Sequence, residues 1–184
     1  FYTEAWLHNT NIFNASIGSM YVDAYRVIER ANVLLINVDE VPALSEADRQ
    51  RMVAEAKFLR AYMHFELVRL FAQPYGFTAN NSHDGIVLRK AGDYVVLPRS
   101  SVAEVYAFVI VDLQDAYQNL PADNGAYANK YAAAALLGKV YVQSMDYAGA
   151  IPYLNEVIDQ GGYTLTEGVD RFVEGNLISE HIFG

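Results

Sequence analysis

Residues 54–71 read Ala54-Glu-Ala-Lys-Phe-Leu-Arg-Ala-Tyr-Met-His-Phe-Glu-Leu-Val-Arg-Leu-Phe71, a helical stretch whose apolar and aromatic residues leave almost no polar face. A helix of that kind must be covered on several sides, because each uncovered flank would leave apolar surface in water. The expected fold is therefore all-α, with this helix as its spine. Ser45, with Asp48 three residues on, marks the helix start, and Pro74 stops it after Ala72. At the α-helical rise its length is about 40 Å.

The flanks repeat the helical signal. Tyr21, Tyr25, Ile28, Asn32 and Leu35 recur at spacings of three and four, predicting a helix from about Ser19 to Val38 that Pro42 closes off. Residues 73–99 hold Pro74, Gly76, Asn80, Asn81, Gly85, Gly92 and Pro98 and read as the main loop region. Within it, only Ile86 to Leu88 and Tyr94 to Leu97 have the character of short strands. Ser101 and Glu104 then form a capping box, and Val102, Val105, Tyr106, Val109, Leu113, Ala116, Tyr117 and Leu120 make one stripe ending at Pro121.

The last third reads as a repeat. Ala134, Leu137, Gly138 and Tyr141, followed by Ala150, Leu154 and Val157, fall at the offsets of a tetratricopeptide helix pair. Ala132 to Ala135 and Gly138 remove bulk where two helix backbones approach closely, with Tyr141, Tyr147 and Leu154 filling the space beside them. Gly138 would cost about 1 kcal/mol against Ala in an exposed helix, so a packing reason is expected. Pro152 lies about six residues into the second helix, and predicts a bent or late-starting first turn. Gly161-Gly162 ends that helix, and Tyr163 to Leu165 and Ile182-Phe183 read as short extended pieces.

A chain of 184 residues that is 53% hydrophobic and 19% charged can bury one sizeable core, so a single domain over 1–184 is expected. Net charge −9 and pI near 4.8 argue against a phosphate-binding surface, and nucleic acid is not an expected partner. With no cysteine there is no disulfide frame or thiol chemistry. Lys139 interrupts the longest apolar run, Tyr131 to Val142, so no membrane-spanning helix is expected. The chain opens on Phe1 and closes on Ile182-Phe183-Gly184, and is read as a piece of something longer.

Catalysis finds no support: no nucleophile has a plausible base, no glycine-rich loop cradles phosphate, and His8, His64, His83 and His181 lack metal-ligand spacing. No cofactor or metal is expected. Asp123-Asn124-Gly125 lacks the alternating oxygens of a calcium loop and reads as a turn. An all-α carbohydrate-active enzyme would need two carboxylates facing each other at roughly 5–10 Å, and no helix suggests them. The fourteen tyrosines fall mostly on helix stripes and read as core with hydroxyls at the rim.

Candidate binding residues are few. Trp6, the only tryptophan, has a face that can stack on a sugar, against the ordinary alternative of core packing. Asn9 can bond a hydroxyl, although loop asparagines commonly bond their own backbone. Tyr75, Phe77 and Tyr94 form a second aromatic set that faces either a ligand or the helices beneath. Asn32, in mid-stripe, must find partners when buried and is expected to pin a loop or a neighbouring helix. Glu55 and Arg60 read as a structural pair or as links to other helices.

These segments resemble, in order, the SusD/RagB family of Bacteroidetes surface lipoproteins. Tyr25 to Leu35 is similar to its Tyr-x-x-Ile-x-x-Ala-Asn-x-Leu-Leu helix, and Glu55 to Phe71 to its Glu-Ala-x-Phe-Leu-Arg-Ala-Tyr-x-x-Phe-x-Leu-Val-x-x-Phe helix. Arg99 to Tyr106 with Asp112-Leu113, the run from Ala133 to Tyr141 with Asp146-Tyr147, and Phe172 to Phe183 resemble later signatures. The match departs at Met20, where many members have Trp, and at Ala72-Gln73, where a Gly before the Pro is common.

The resemblance implies a right-handed superhelix of tetratricopeptide-like helix pairs. It also implies binding of nutrient oligosaccharides or peptides, partnership with a SusC-like TonB-dependent transporter, and a lipid-anchored place on the outer membrane. It covers well under half of a family member, so a domain truncated at both ends is expected, without the signal peptide or the lipid-carrying cysteine. Trp6, Asn9 and Tyr75 are the expected ligand contacts. The other reading is a repeat module whose groove binds a peptide or partner protein.

Overall fold

The computed structural model describes residues 14–92 and 95–165, together with Leu7 and Ile182. Five α-helices run through these residues: α1 (Ala15–Asn37), α2 (Glu46–Phe71), α3 (Val102–Asn119), α4 (Lys130–Gln143) and α5 (Tyr147–Gln160). A 3-10 turn, Val38–Glu40, follows α1. Each helix packs chiefly on its neighbours in sequence, α2 on α3 most extensively, in tetratricopeptide-like succession.

The caps explain where the helices begin. Asn14 accepts from the Ile17 amide at 3.1 Å, so α1 starts one turn before the predicted Ser19. Ser45 accepts from the Asp48 amide at 3.1 Å. Ser101 and Glu104 complete the capping box reciprocally, at 3.3 Å and 2.8 Å. Helix α5 begins at Tyr147, where Asp146 accepts from the Gly149 amide, and Pro152 is its sixth residue, so the late start does not occur. The ring leaves the Ala148 carbonyl without its helical donor, and both residues are exposed, so water reaches it.

The spine helix is buried as its composition demands. Phe58, Ala61, Phe65, Leu67 and Val68 of α2 join Ile28 of α1, Val105, Val109 and Leu113 of α3, and Leu137 and Val140 of α4 in one core. A Cβ added at Gly138 would stand 2.5 Å from Leu154 Cγ, so the glycine is where α5 presses onto α4. Tyr141 flanks that contact, stacked with Tyr153 at 5.8 Å. Tyr147, expected beside it, is instead 61% exposed, because it occupies the first turn, outside the packed face.

Two expected strands do not form among the described residues. Asp84 and Ser101 make an isolated antiparallel bridge, with Gly85 N–H donating to the Ser100 carbonyl and Ser100 N–H to the Ile86 carbonyl. Ile86 and Leu88 are buried by the helices, so their alternation records core contact, while Val95 and Val96 are exposed. After α2, Ala72 is extended, Pro74 to Phe77 form a turn, and Gly76 takes φ +90. Gly161 caps α5 and Gly162 takes φ +72, as a helix end with two glycines predicts.

Candidate functional site

The alternation that buries Ile86 and Leu88 turns Val87 and Arg89 toward α1, and there the surface opens into a cleft of about 440 Å³. Tyr21, Val22, Tyr25, Arg26 and Glu29 line its α1 wall, and Val87 and Arg89 the other. Residues 21, 25 and 29 stand one turn apart on a single helical face, so the sequence stacks two rings and a carboxylate in line. The rings of Tyr21 and Tyr25 lie 4.8 Å apart, and Tyr21 is set edge-on to Phe71 at 5.0 Å. The Tyr25 hydroxyl donates to the Val87 carbonyl at 2.8 Å, tying the wall to the floor. Burial, foremost, pushes the Tyr25 phenol well up, and the Tyr21 hydrogen bond adds to it, so the ring stays neutral.

The charges around the cleft are unevenly partnered. Arg26 pairs with Asp23 at 2.7 Å, and Arg89 donates to the Val95 carbonyl at 2.8 Å. Glu29 Oε1 is buried and accepts no hydrogen bond.

Behind the floor lies the network that fixes it. Arg60, 8% exposed, donates from Nε and Nη2 to the two oxygens of Asp112 at 2.8 and 2.9 Å, and from Nη1 to Asn32 Oδ1 at 2.7 Å and the Lys90 carbonyl at 3.2 Å. The Asn32 amide in turn donates to the carbonyls of Arg89 and Ala91. His64 is fully buried: Nδ1 lies 2.9 Å from the Arg60 carbonyl and must donate, and Nε2 accepts the Arg89 amide at 3.2 Å. Both bonds fix the neutral Nδ1–H tautomer, and burial pulls the imidazole down to about 4. Burial pushes the Asp112 carboxyl up against the pull of Arg60.

Asn32 thus pins the loop and the spine helix together, as expected of a buried amide. Arg60 and Glu55 each link to other segments: Arg60 to α3, and Glu55, which also pairs with Arg51 one turn earlier on its own helix, to Asn124 at 2.8 Å. Asp123 Oδ1 accepts the Gly125 amide in the turn read from the sequence, with Gly125 at φ +60.

Of the residues singled out for binding, Trp6, Asn9 and Tyr94 lie outside the described residues. Tyr75 is half-buried and packs its ring on Tyr106 at 4.8 Å, against the core. Phe77 is 60% exposed and meets His83 edge-on at 5.3 Å. The structure therefore separates Tyr75 from Phe77 by partner. Sequence reading placed Tyr21 and Tyr25 in the core stripe and passed over Arg26, Glu29, Val87 and Arg89. A signal existed in the one-turn spacing of Tyr21, Tyr25 and Glu29; the loop return that makes it a cleft had none.

The fold and its neighbours define a class, a helical repeat scaffold carrying a loop-walled cleft. A family model of SusD-like proteins, described as starch-binding associating with outer membrane, matches residues 2–142. The chain belongs to the SusD-like family. A SusD-like protein of Formosa agariphila is 29% identical over 161 residues, which are 85% of this chain and 29% of that protein. The chain thus spans about three tenths of the length of the curated relatives it matches first. A SusD superfamily crystal structure from Bacteroides fragilis aligns over 98% of this chain and 43% of its own, at 25% identity and a TM-score of 0.83. A laminarin-binding SusD-like protein aligns over 90% of this chain and 36% of its own, at 30% identity and a TM-score of 0.75.

Proposed function

We propose that this chain serves capture of nutrient oligosaccharides at the bacterial outer membrane, as part of the surface lipoprotein that accompanies a SusC-like TonB-dependent transporter. The observation that carries this reading is the family match over residues 2–142 to proteins described as starch-binding and associated with the outer membrane. The similarity to a laminarin-binding structure supports a glucan as cargo. Binding rather than catalysis fits the network as well. Asp112, the most buried carboxylate described, spends both oxygens on Arg60, and a carboxylate so committed is a poor acid or base. Trp6, Asn9 and Tyr75 are the proposed ligand contacts, with Trp6 supplying the stacking face.

Isothermal titration of a neutral oligosaccharide panel into the product of the complete reading frame tests this, with a Trp6→Ala variant alongside. Binding that weakens in the variant supports glycan capture through Trp6. If no glycan binds while peptides do, the chain is a peptide-binding repeat module instead. Co-purification with a transporter from solubilised outer membranes tests the partnership, and a lipoprotein recovered alone argues against it.

A further inference from the structure

We propose that His64 is an acid-sensitive latch on the return of residues 87–92: at neutral pH the ring holds the return against α2, and a second proton on the ring releases it while the helices stay folded. Val87 and Arg89 wall the cleft, so the latch sets whether the cleft keeps its shape. The proposal is independent of what the cleft binds, and it uses a buried group to which the capture reading gives no role.

The latch follows from the hydrogens available. With Nδ1–H spent on the Arg60 carbonyl, Nε2 is the acceptor of the ring, and the Arg89 amide donates into it at 3.2 Å. A second proton must go to Nε2, since the other nitrogen already carries one. The acceptor then becomes a donor, and two N–H groups face each other where the return is held to the ring. Other bonds on the return run from the Asn32 amide to the Arg89 and Ala91 carbonyls, from Arg60 to the Lys90 carbonyl and from Tyr25 to the Val87 carbonyl. None of those donors changes its charge as the pH falls, so the acid response of this set belongs to His64.

The surroundings oppose the new charge. Among the described residues, Arg60 on α2 is the charged group whose field reaches the ring, and it repels a second proton. The Asp112 carboxylate of α3 is already held by two nitrogens of that guanidinium. Phe108 of α3 stands perpendicular to the imidazole at 5.5 Å, with Lys90 Nζ 5.7 Å from the same Phe108 ring. The return therefore brings two further cations, Arg89 and Lys90. Helix α1 supplies the uncharged Asn32 to the network, and its Glu29 lies by Gly92, further along the return. A fully buried imidazolium is stabilised only when water reaches it. Moving the return off Nε2 admits that water, whereas moving a helix would break the core.

Hydrogen exchange read by mass spectrometry tests this on the product of the complete reading frame, from about pH 7 to about pH 4 and corrected for intrinsic exchange chemistry. Protection of peptides covering Arg89 should fall by about a hundredfold, the ratio set by an imidazole that binds its proton near 6.5 when released and at about 4 when latched. At the acid end these peptides should exchange while peptides within α3 remain unexchanged. Return and α3 peptides that exchange together would mean global unfolding and overturn the latch, as would constant protection of the return across the range. Both readings come from the wild-type protein and need no variant to fold. His64→Gln sets a side-chain oxygen that does not titrate near the place of Nε2, and should hold the return with no acid response. A response that persists in His64→Gln, shown folded by helical circular dichroism, moves the titration to Asp112, whose carboxyl burial pushes up, and overturns the assignment to His64.

Discussion

Removing the carboxylate of Asp112 should be among the most damaging single changes available in the described core. Asp112→Leu leaves the Arg60 guanidinium in place with Asn32 Oδ1 and the Lys90 carbonyl as acceptors, and no counter-charge at hydrogen-bond distance among the described residues. With Arg60 8% and Asp112 4% exposed, water replaces the lost oxygens poorly. Orphaning one member of a buried pair costs roughly 3–5 kcal/mol. At this chain length 1 kcal/mol moves the melting midpoint by about 2–4 °C, so a fall of about 10 °C is expected. The double replacement Arg60→Met with Asp112→Leu removes both charges, and should recover most of that loss, because the desolvation penalty goes with them. Urea unfolding followed by helical circular dichroism on wild type, both single variants and the double gives the coupling energy directly. A single variant within about 1 kcal/mol of wild type, or a double as unstable as the two singles added, would refute the reasoning.

Three further outcomes follow from the same structure. Gly138→Ala should destabilise by about 1–2 kcal/mol despite the better helix propensity of Ala, since overpacking against Leu154 exceeds the propensity gain; adding Leu154→Ala should relieve part of it in the same urea assay. His64 binds a proton in the unfolded chain near 6.5 but in the folded one only near 4, so the unfolded state holds the extra proton between these values. Stability is therefore full above about pH 6.5 and falls by about 3 kcal/mol as pH drops to 4; proton NMR of the ring should show a midpoint near 4, and one near 6.5 would sink the assignment. Ser101→Ala removes the α3 cap and should cost about 1 kcal/mol by thermal melting, with no loss meaning that the reciprocal Glu104 bond does not depend on the hydroxyl.

Helices with a local signal were legible in the sequence, and contacts closed over distance were not. Ser45 and Ser101 announce their helices through bonds spanning three residues, which a string of letters can display. Gly138 announced a close approach and, through the fixed offsets of the helix-pair repeat, its filler Leu154, whereas partners that no repeat fixes stayed hidden. The error at 86–88 has the same origin: alternating burial arises equally from a strand in a sheet and from an irregular segment laid on helices, and only the missing ladder separates them. Glu29 was illegible as a site residue for a sharper reason. A glutamate on a helix is ordinarily solvated; here one oxygen, Oε1, is buried where the return of residues 87–92 brings Gly92 beside it, and the Asn32 amide holds that return in place.

The Arg60 hub changes how the scaffold comes apart. In a row of helices that touch only their neighbours, opening can start at either end and travel one unit at a time. One guanidinium that holds α2, α3, Asn32 of α1 and the backbone at Lys90 forbids that order at this end, since none of the four can leave without stranding a buried charge. Helix α5, which lies outside that hub and buries only Ala150 and Val157, is the unit expected to detach first. Amide protons of α1, α2 and α3 should then exchange with a single shared opening energy, above that of α5. The α1 wall of the cleft belongs to that shared unit, so the shape of the cleft should survive fluctuations that strip away the far end of the row.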